Sequence, residues 1–490
     1  MNLKILYITL GILSTELLAA QNQTMEMSLE QVVKIARLES PDARTARHSF
    51  RSAYWNYKYY RANYLPSLSL SSDPNLNRAI NKITMGDGSV KFVEQNLLNT
   101  DLTLNLSQNI PWTGGSLFLE TSAQRMDLFS EHKYSWQTSP IMIGYRQSLF
   151  GYNSLKWDKR IEPVRYQEAK KSYVETLELV SANAINKFFA LATAQSNYDI
   201  ASFNYANADT LYRYAQGRYN IGTITENEML QLELNRLTEE TNRMNARIEM
   251  DNCMQELRSY LGIQEEREIR VRVSSRIPDF SINLNEALAL AYENSPDIQT
   301  MKRRKLESES AVARARANAG LKADIYLRFG LTQTADKLPE AYRNLLDQQY
   351  VSLSISLPIL DWGRGKGQVR VARSNRDLVY TQVEQSRTDF ELNVRKLVKQ
   401  FNLQTQRVRI AARTDETAQR RNEVARKLYI LGKSTILDLN ASISEKDSAR
   451  RNYVSALYNY WSLYYTLRSM TLYDFESNKL LTEDYNLLIE

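Results

Sequence analysis

The sequence contains one unit written twice, and that duplication limits its possible folds more than any other feature. LEQVVKIARLESPD at 29–42 aligns with LNEALALAYENSPD at 284–297. Further on, YNIGTITENE at 219–228 aligns with YILGKSTILD at 429–438, so Tyr219 matches Tyr429 and Gly222 matches Gly432. The first copy is longer by about 45 residues. That excess falls between Pro66 and Leu149, because ANYLPS at 62–67 still keeps the register of ANAGLK at 317–322. By LFG at 149–151, against ILD at 359–361, the shorter offset is already in place. The excess therefore sits among strand-like residues, and the helical stretches have kept their lengths.

Each copy reads as a short helix, a medium helix, strands, a very long helix, a tight turn and a return helix. Gly222 and Gly432 accept the left-handed backbone angle that ends a helix. Thr225 and Thr435, three residues on, carry hydroxyls able to cap the next one. Before the first turn, Tyr173, Leu177, Val180, Ala184, Lys187, Leu191, Ala194, Tyr198 and onward to Tyr219 recur in alternating steps of four and three. That is a coiled-coil period, with Lys187 as its misfit. The second copy repeats the seam from Phe390 to Tyr429, broken by polar Gln404, Asp415 and Asn422. Helices over 152–220 and 362–431 would each run about 100 Å, against about 55–60 Å for the return helices at 223–262 and 435–470. The medium helices at 42–64 and 297–320 add about 35 Å each, so return plus medium nearly match the long one in a rod of helices. Pro163 should kink the first long helix or mark its first turn.

SLSLSS at 67–72, DLTLNLSQ at 101–108, SLFLETSA at 116–123 and IMIGYRQSLF at 141–150 read as strands, as do ADIYLRFGLTQ at 323–333 and YVSLSISLPIL at 350–360. Period-two alternation gives a sheet with two unlike faces, and each run is about long enough to cross a bilayer when tilted. One chain supplies too few strands to close a barrel, so either closure comes from sister chains or an unpaired edge remains. Tyr152 and Trp362, just past the last strand of each copy, suit aromatic rings at a membrane surface.

The fold class is mostly α with β: a duplicated helix–strand–helix repeat with long coiled-coil hairpins. The expected organisation is a signal peptide at 1–20, with Lys4, an apolar core and Ala19-Ala20, then a first repeat at 21–262. That repeat holds strands at about 66–150 and a hairpin at about 152–262. A linker at 263–283 leads to a second repeat at 284–475, with strands at about 323–360 and a hairpin at about 362–470, before a tail at 476–490.

Chemistry finds little to work with. The net charge of +7 arises from 63 basic and 56 acidic residues spread along the chain, which argues against a nucleic-acid partner. One cysteine, Cys253, and two histidines, His48 and His132, leave no catalytic pair, metal cluster or cofactor site in view. Cys253 falls at helical spacing among Met250, Met254 and Leu257, as a packed thiol would. DWGRGKGQ at 361–368 has glycines and a lysine but lacks the spacing and the hydroxyl of a phosphate loop; it fits an elbow between strand and helix.

The two turn motifs, the strand exits SLFGYNSLKWD and LPILDWGRG, and the ending YYTLRSMTLYDF resemble the TolC-like outer-membrane efflux proteins, across essentially the whole mature chain. The resemblance implies a homotrimer in the outer membrane of a Gram-negative cell. Its subunits pool their strands into one transmembrane β-barrel, and its helices form a periplasmic tunnel. It implies a passive, non-enzymatic exit duct, with a periplasmic adaptor, an inner-membrane transporter and outer-membrane lipid as partners. It places a gate at the hairpin tips: Tyr219, Gly222 and Glu228 in the first, Tyr429, Gly432 and Asp438 in the second. A ring of three Asp438 carboxylates would favour cations and give metal ions a place to block the pore. Ser434 stands where the family's pattern has an arginine latch, beside Lys433, and Ala441 where a second aspartate ring would sit. The family has two strands per copy; the extra residues of the first copy add two strand-like runs that could be long outer loops or added strands, with an elaborated extracellular hairpin as the favoured expectation. Two other readings remain: an exported coiled-coil scaffold with a β cap, and a nucleotide-driven motor using the glycine-rich stretch.

Overall fold

The computed structural model describes residues 25–265, 267–431 and 433–489; the signal segment and Gly432 lie outside them. The elements run in the predicted order, twice over. They are β1 (Met25–Ser28), α1 (Leu29–Glu39), α2 (Pro41–Ala62), β2 (Ser67–Ser72), β3 (Asn75–Thr84), β4 (Val90–Ile110), β5 (Gly115–Leu128), β6 (Lys133–Ser148), α3 (Ser154–Asn220) and α4 (Glu226–Leu261). After β7 (Ile269–Arg272) come α5 (Leu284–Asn294), α6 (Pro296–Ala319), β8 (Lys322–Ala335), β9 (Leu346–Ser356), α7 (Arg364–Ile430) and α8 (Ile436–Thr471), closed by β10 (Tyr473–Asp474) and β11 (Lys479–Leu480). The long helices have 67 residues each and the return helices 36 each, so the duplication holds to the residue in both hairpins. Helix α3 continues through Pro163, which lies inside it rather than at its start.

The chain divides into two compact units. One gathers the chain up to Ser52 with residues 169–298 and 387–490. Its core is the predicted seam. Leu177, Val180, Ala184, Leu191, Ala194, Ala201, Ala208 and Ala215 are all buried, while Tyr198, Tyr205 and Tyr212 are half-exposed. Arginines of α4 lie over those three rings: Arg247 over Tyr198, Arg243 over Tyr205 at 4.1 Å and Arg236 over Tyr212. Each contact combines a guanidinium with a π face and excludes water from the alanines beneath. The misfit Lys187 reaches Glu256 on α4 at 2.8 Å. In the second hairpin the polar interruptions are rungs to α8. Gln404 donates to the Ala456 carbonyl at 3.0 Å, Arg450 pairs with Asp415 at 3.2 Å, and Asn422 donates to Ser442 at 3.0 Å. Buried polar groups with partners fix a helix pair's register at little net cost.

The stretch at 263–283 is more than a connector. It contributes β7, which pairs in parallel with β1, and it packs the half-buried Phe280 ring against Phe401 and Tyr464. The tail also docks in this unit: Glu483 pairs with Arg37, and Tyr485 packs on Phe50.

The other unit holds residues 53–168 and 299–386. Its helical part is tied by stacked Tyr57 and Tyr166, 4.4 Å apart, and by Arg303 bridging Glu168 and Glu307. Its sheet follows one antiparallel path, β2–β4–β5–β6–β8–β9, with β3 paired to the outer half of β4. This corrects the expectation for the extra residues. β3 and the first half of β4 do form a hairpin arm, but the second half of β4 and all of β5 enter the sheet as full members. The strand NLNRAINKIT escapes sequence patterning because every second position is not consistently apolar.

Candidate functional site: the two helical turns and the two-faced sheet

Both turns end their long helix in the same way. Thr223 N–H donates to the Arg218 carbonyl at 2.9 Å, and Lys433 N–H donates to the Leu428 carbonyl at 2.9 Å. Gly222 takes φ +74°, the left-handed geometry that such a stop requires. Tyr219 is exposed on the last turn of α3; Tyr429 occupies the matching place on α7.

The two candidate gate acids turn out to be capping residues. Thr225 precedes α4 and accepts the Glu228 N–H at 3.3 Å, while Glu228 accepts the Thr225 N–H at 2.9 Å. Thr435 and Asp438 repeat this reciprocal box, with the Thr435 hydroxyl donating to the carboxylate at 2.6 Å. Ser434, where the arginine latch was missing, also donates to Asp438, at 3.4 Å. The residues spell this motif as T-x-x-E and T-x-x-D, the spacing that lets each partner reach the other's backbone N–H. The Thr225 backbone N–H, then its hydroxyl, hold the Glu228 carboxyl below its ordinary value. The Thr435 hydroxyl, then its N–H, do the same for Asp438. Both carboxylates are exposed and carry their charge at neutral pH.

Side chains alternate along each strand, so the registers decide which face each residue takes. Leu68, Leu106, Leu119, Ile143 and Phe329 lie side by side across five strands, and Leu117, Tyr145, Leu327 and Val351 continue the row to the sixth. The opposite face aligns Ser69, Asn105, Glu120, Met142, Gly330 and Gln348. There Arg328 pairs with Glu120 at 3.2 Å, and Arg146 lies over Tyr326. Gly144 leaves room for the Phe118 ring on this polar face, since a Cβ there would fall inside it. The apolar row is exposed along most of its length.

The aromatic positions divide. Trp362 is 90 % exposed and adopts φ +53° at the β9 exit. Tyr152 instead leans on α6, sharing a 2.6 Å hydrogen bond with Ser310 beneath the Arg314 guanidinium. Trp112, 83 % exposed in the β4–β5 turn, is a third aromatic that strand patterning does not single out. The glycine-rich elbow is filled from within: Asp361 accepts the Gly363 and Gly365 N–H groups at 2.9 and 2.8 Å. These donors, Gly365 first, hold its carboxyl low and occupy the cradle a phosphate would need. Cys253 is buried in α4. Among the described residues no helix is long and apolar enough to cross a membrane, and no group of three or more His, Cys, Asp or Glu could hold a metal ion.

A two-faced sheet joined in sequence to coiled-coil hairpins is the fold that this chain shares with solved outer membrane channels. The chain is TolC-like. Residues 287–471 match the family model described as outer membrane efflux protein. It is 21 % identical over 447 residues to outer membrane protein TolC of Escherichia coli (strain K12), covering 88 % of this chain and 80 % of that one. Its fold is similar to the Campylobacter jejuni CmeC outer membrane channel, with TM-score 0.67, 16 % identity, and coverage of 94 % of this chain and 88 % of that one. It is also similar to the outer membrane protein VceC of Vibrio cholerae, with TM-score 0.63, 14 % identity, and coverage of 90 % and 95 %. The chain's place is the outer membrane, extending into the periplasm.

Proposed function

We propose that three copies of this chain form a passive exit duct, gated at the helical turns and driven by an inner-membrane transporter through a periplasmic adaptor. The two repeats, 21–262 and 284–475, supply one hairpin each to the gate. Passage depends on whether the tips at Tyr219–Glu228 and Tyr429–Asp438 lie inward or splay. Trp362 marks the membrane surface at the strand exit of the second repeat, while Tyr152 is held against α6 at the matching exit of the first. The observation that carries this reading is the sheet: one apolar face, one polar face, and two edge strands each left open on one side among the described residues. Such edges cannot remain open in lipid, where unpaired backbone groups cost several kcal/mol each, on the order given by transfer data. Closure with sister copies around water satisfies them.

The gate is tested by separating charge from capping. Asp438→Ala removes both; Thr435→Ala removes the cap and keeps the carboxylate. In single-channel recordings Asp438→Ala should lose cation preference and divalent block, while Thr435→Ala retains them. Equal traces for wild type and Asp438→Ala would take that residue out of the pore.

A further inference from the structure

We infer that each subunit places six strands in the barrel wall, four from its first repeat and two from its second, with β2 of one copy pairing β9 of the next. This rests on the duct reading for the presence of sister copies, and three copies would then close eighteen strands.

Four observations carry it. The six strands follow one continuous antiparallel path, with bulges only in the β5–β6 and β6–β8 pairings, and the added strands are bonded over their length: β4 pairs with β5 from Leu97–Leu128 to Ile110–Gly115. The exposed apolar row crosses β4 and β5 in register with β6 and β8. Strands held outside a bilayer would have no reason to continue a lipid-facing row, since a water-exposed pair alternates its faces independently. The β4–β5 turn lies at the strand–helix level, because Asn153, which caps α3, donates to the Pro111 carbonyl at 3.0 Å, and Gln147 donates to Thr113 at 2.9 Å. Gln108 and Asn109 likewise bond to the end of the medium helix at Tyr64 and Asn63. The added pair therefore reaches the same level as the other strand exits.

Parity supplies the fourth. With six antiparallel members, β2 and β9 run in opposite directions, so identical copies join edge to edge antiparallel and no edge remains. Barrel diameter grows with strand number, and walls of about 16–18 strands surround an aqueous channel. The second repeat alone, with two strands, defines the narrower plan that the first has enlarged.

The test uses the full chain reconstituted in lipid nanodiscs. Cryo-electron microscopy should count six strands per subunit in the membrane wall. In a Cys253→Ser background, single-cysteine variants Leu104→Cys and Leu119→Cys, on the added strands, should resist a membrane-impermeant maleimide as fully as Ile143→Cys and Leu327→Cys. Ser107→Cys and Ser122→Cys, on the polar face, should react. A wall of four strands per subunit, or Leu104→Cys and Leu119→Cys labelled at the rate of a β8–β9 loop position such as Lys337→Cys, overturns the inference and leaves the duct reading intact. Six strands per subunit in an assembly of another copy number sustains it and removes the trimer instead.

Discussion

Glu175 and Glu178 lie on neighbouring turns of the same long helix and meet opposite electrostatic surroundings. Glu178 is 0 % exposed but enclosed by guanidinium groups, Arg37 on one side and Arg468 at 2.8 Å on the other, with Asp474 and Glu483 beyond them. A buried carboxylate with two arginine partners has its desolvation offset, and loss of either charge would leave the other stranded. Among the described residues Glu175 has no such partner. Burial, with Asp297 adding repulsion, pushes its carboxyl up to about 7. Its protonated form is the one the fold favours. Stability from this group is therefore complete below the ordinary value of 4.5 and is lost as pH rises through about 7. Glu175→Gln should unfold like the wild type at pH 4 and be more stable at pH 8, by about 3 kcal/mol at 1.36 kcal/mol per pKa unit. Thermal or denaturant melts of the purified protein at both pH values check this; no gain at pH 8 would mean that Glu175 is ionised at no cost.

At the scale of elements, the alternation of large and small residues along α3 is what makes the first hairpin readable and also fragile. Ala184 is fully buried at a seam position, where a small side chain lets the partner helix approach. Ala184→Leu should overpack that contact and cost about 1–3 kcal/mol, seen as a lower melting temperature with unchanged helical signal; an unshifted melt would show that the seam has slack. The helices, their lengths and their turns are legible in the sequence because each rests on local signals: a 3.5-residue period, a left-handed glycine at 222, capping threonines at 225 and 435. The sheet is legible only in part. SLSLSS declares itself by strict alternation, whereas β3 is invisible and β4 extends well beyond its readable centre, because their pairing is decided by neighbours distant in sequence. The candidate gate acids Glu228 and Asp438 are singled out by resemblance and positioned by something simpler. Their T-x-x-acid spacing spells a capping box, a local motif that the resemblance overshadows. Trp112 escapes because a lone exposed aromatic in a turn has no period to betray it.

For the whole molecule, the question is what solvent each face of the sheet meets, and two adjacent residues of β4 put it sharply. Leu104 belongs to the exposed apolar row and Asn105 to the polar face beside Glu120. If the sheet stood in water, a lysine at either position would be tolerated, and at Leu104 it would relieve an exposed leucine. If the row faces lipid, Leu104→Lys must bring an ammonium to hydrocarbon, at about 2–4 kcal/mol per copy near the bilayer midplane. Any symmetric assembly multiplies that cost by its copy number. Asn105→Lys would instead gain a carboxylate neighbour on a wetted face. Leu104→Lys should therefore leave little protease-resistant, membrane-integrated assembly, and Asn105→Lys should assemble as the wild type does. Equal assembly of the two variants would mean that the apolar row does not face lipid.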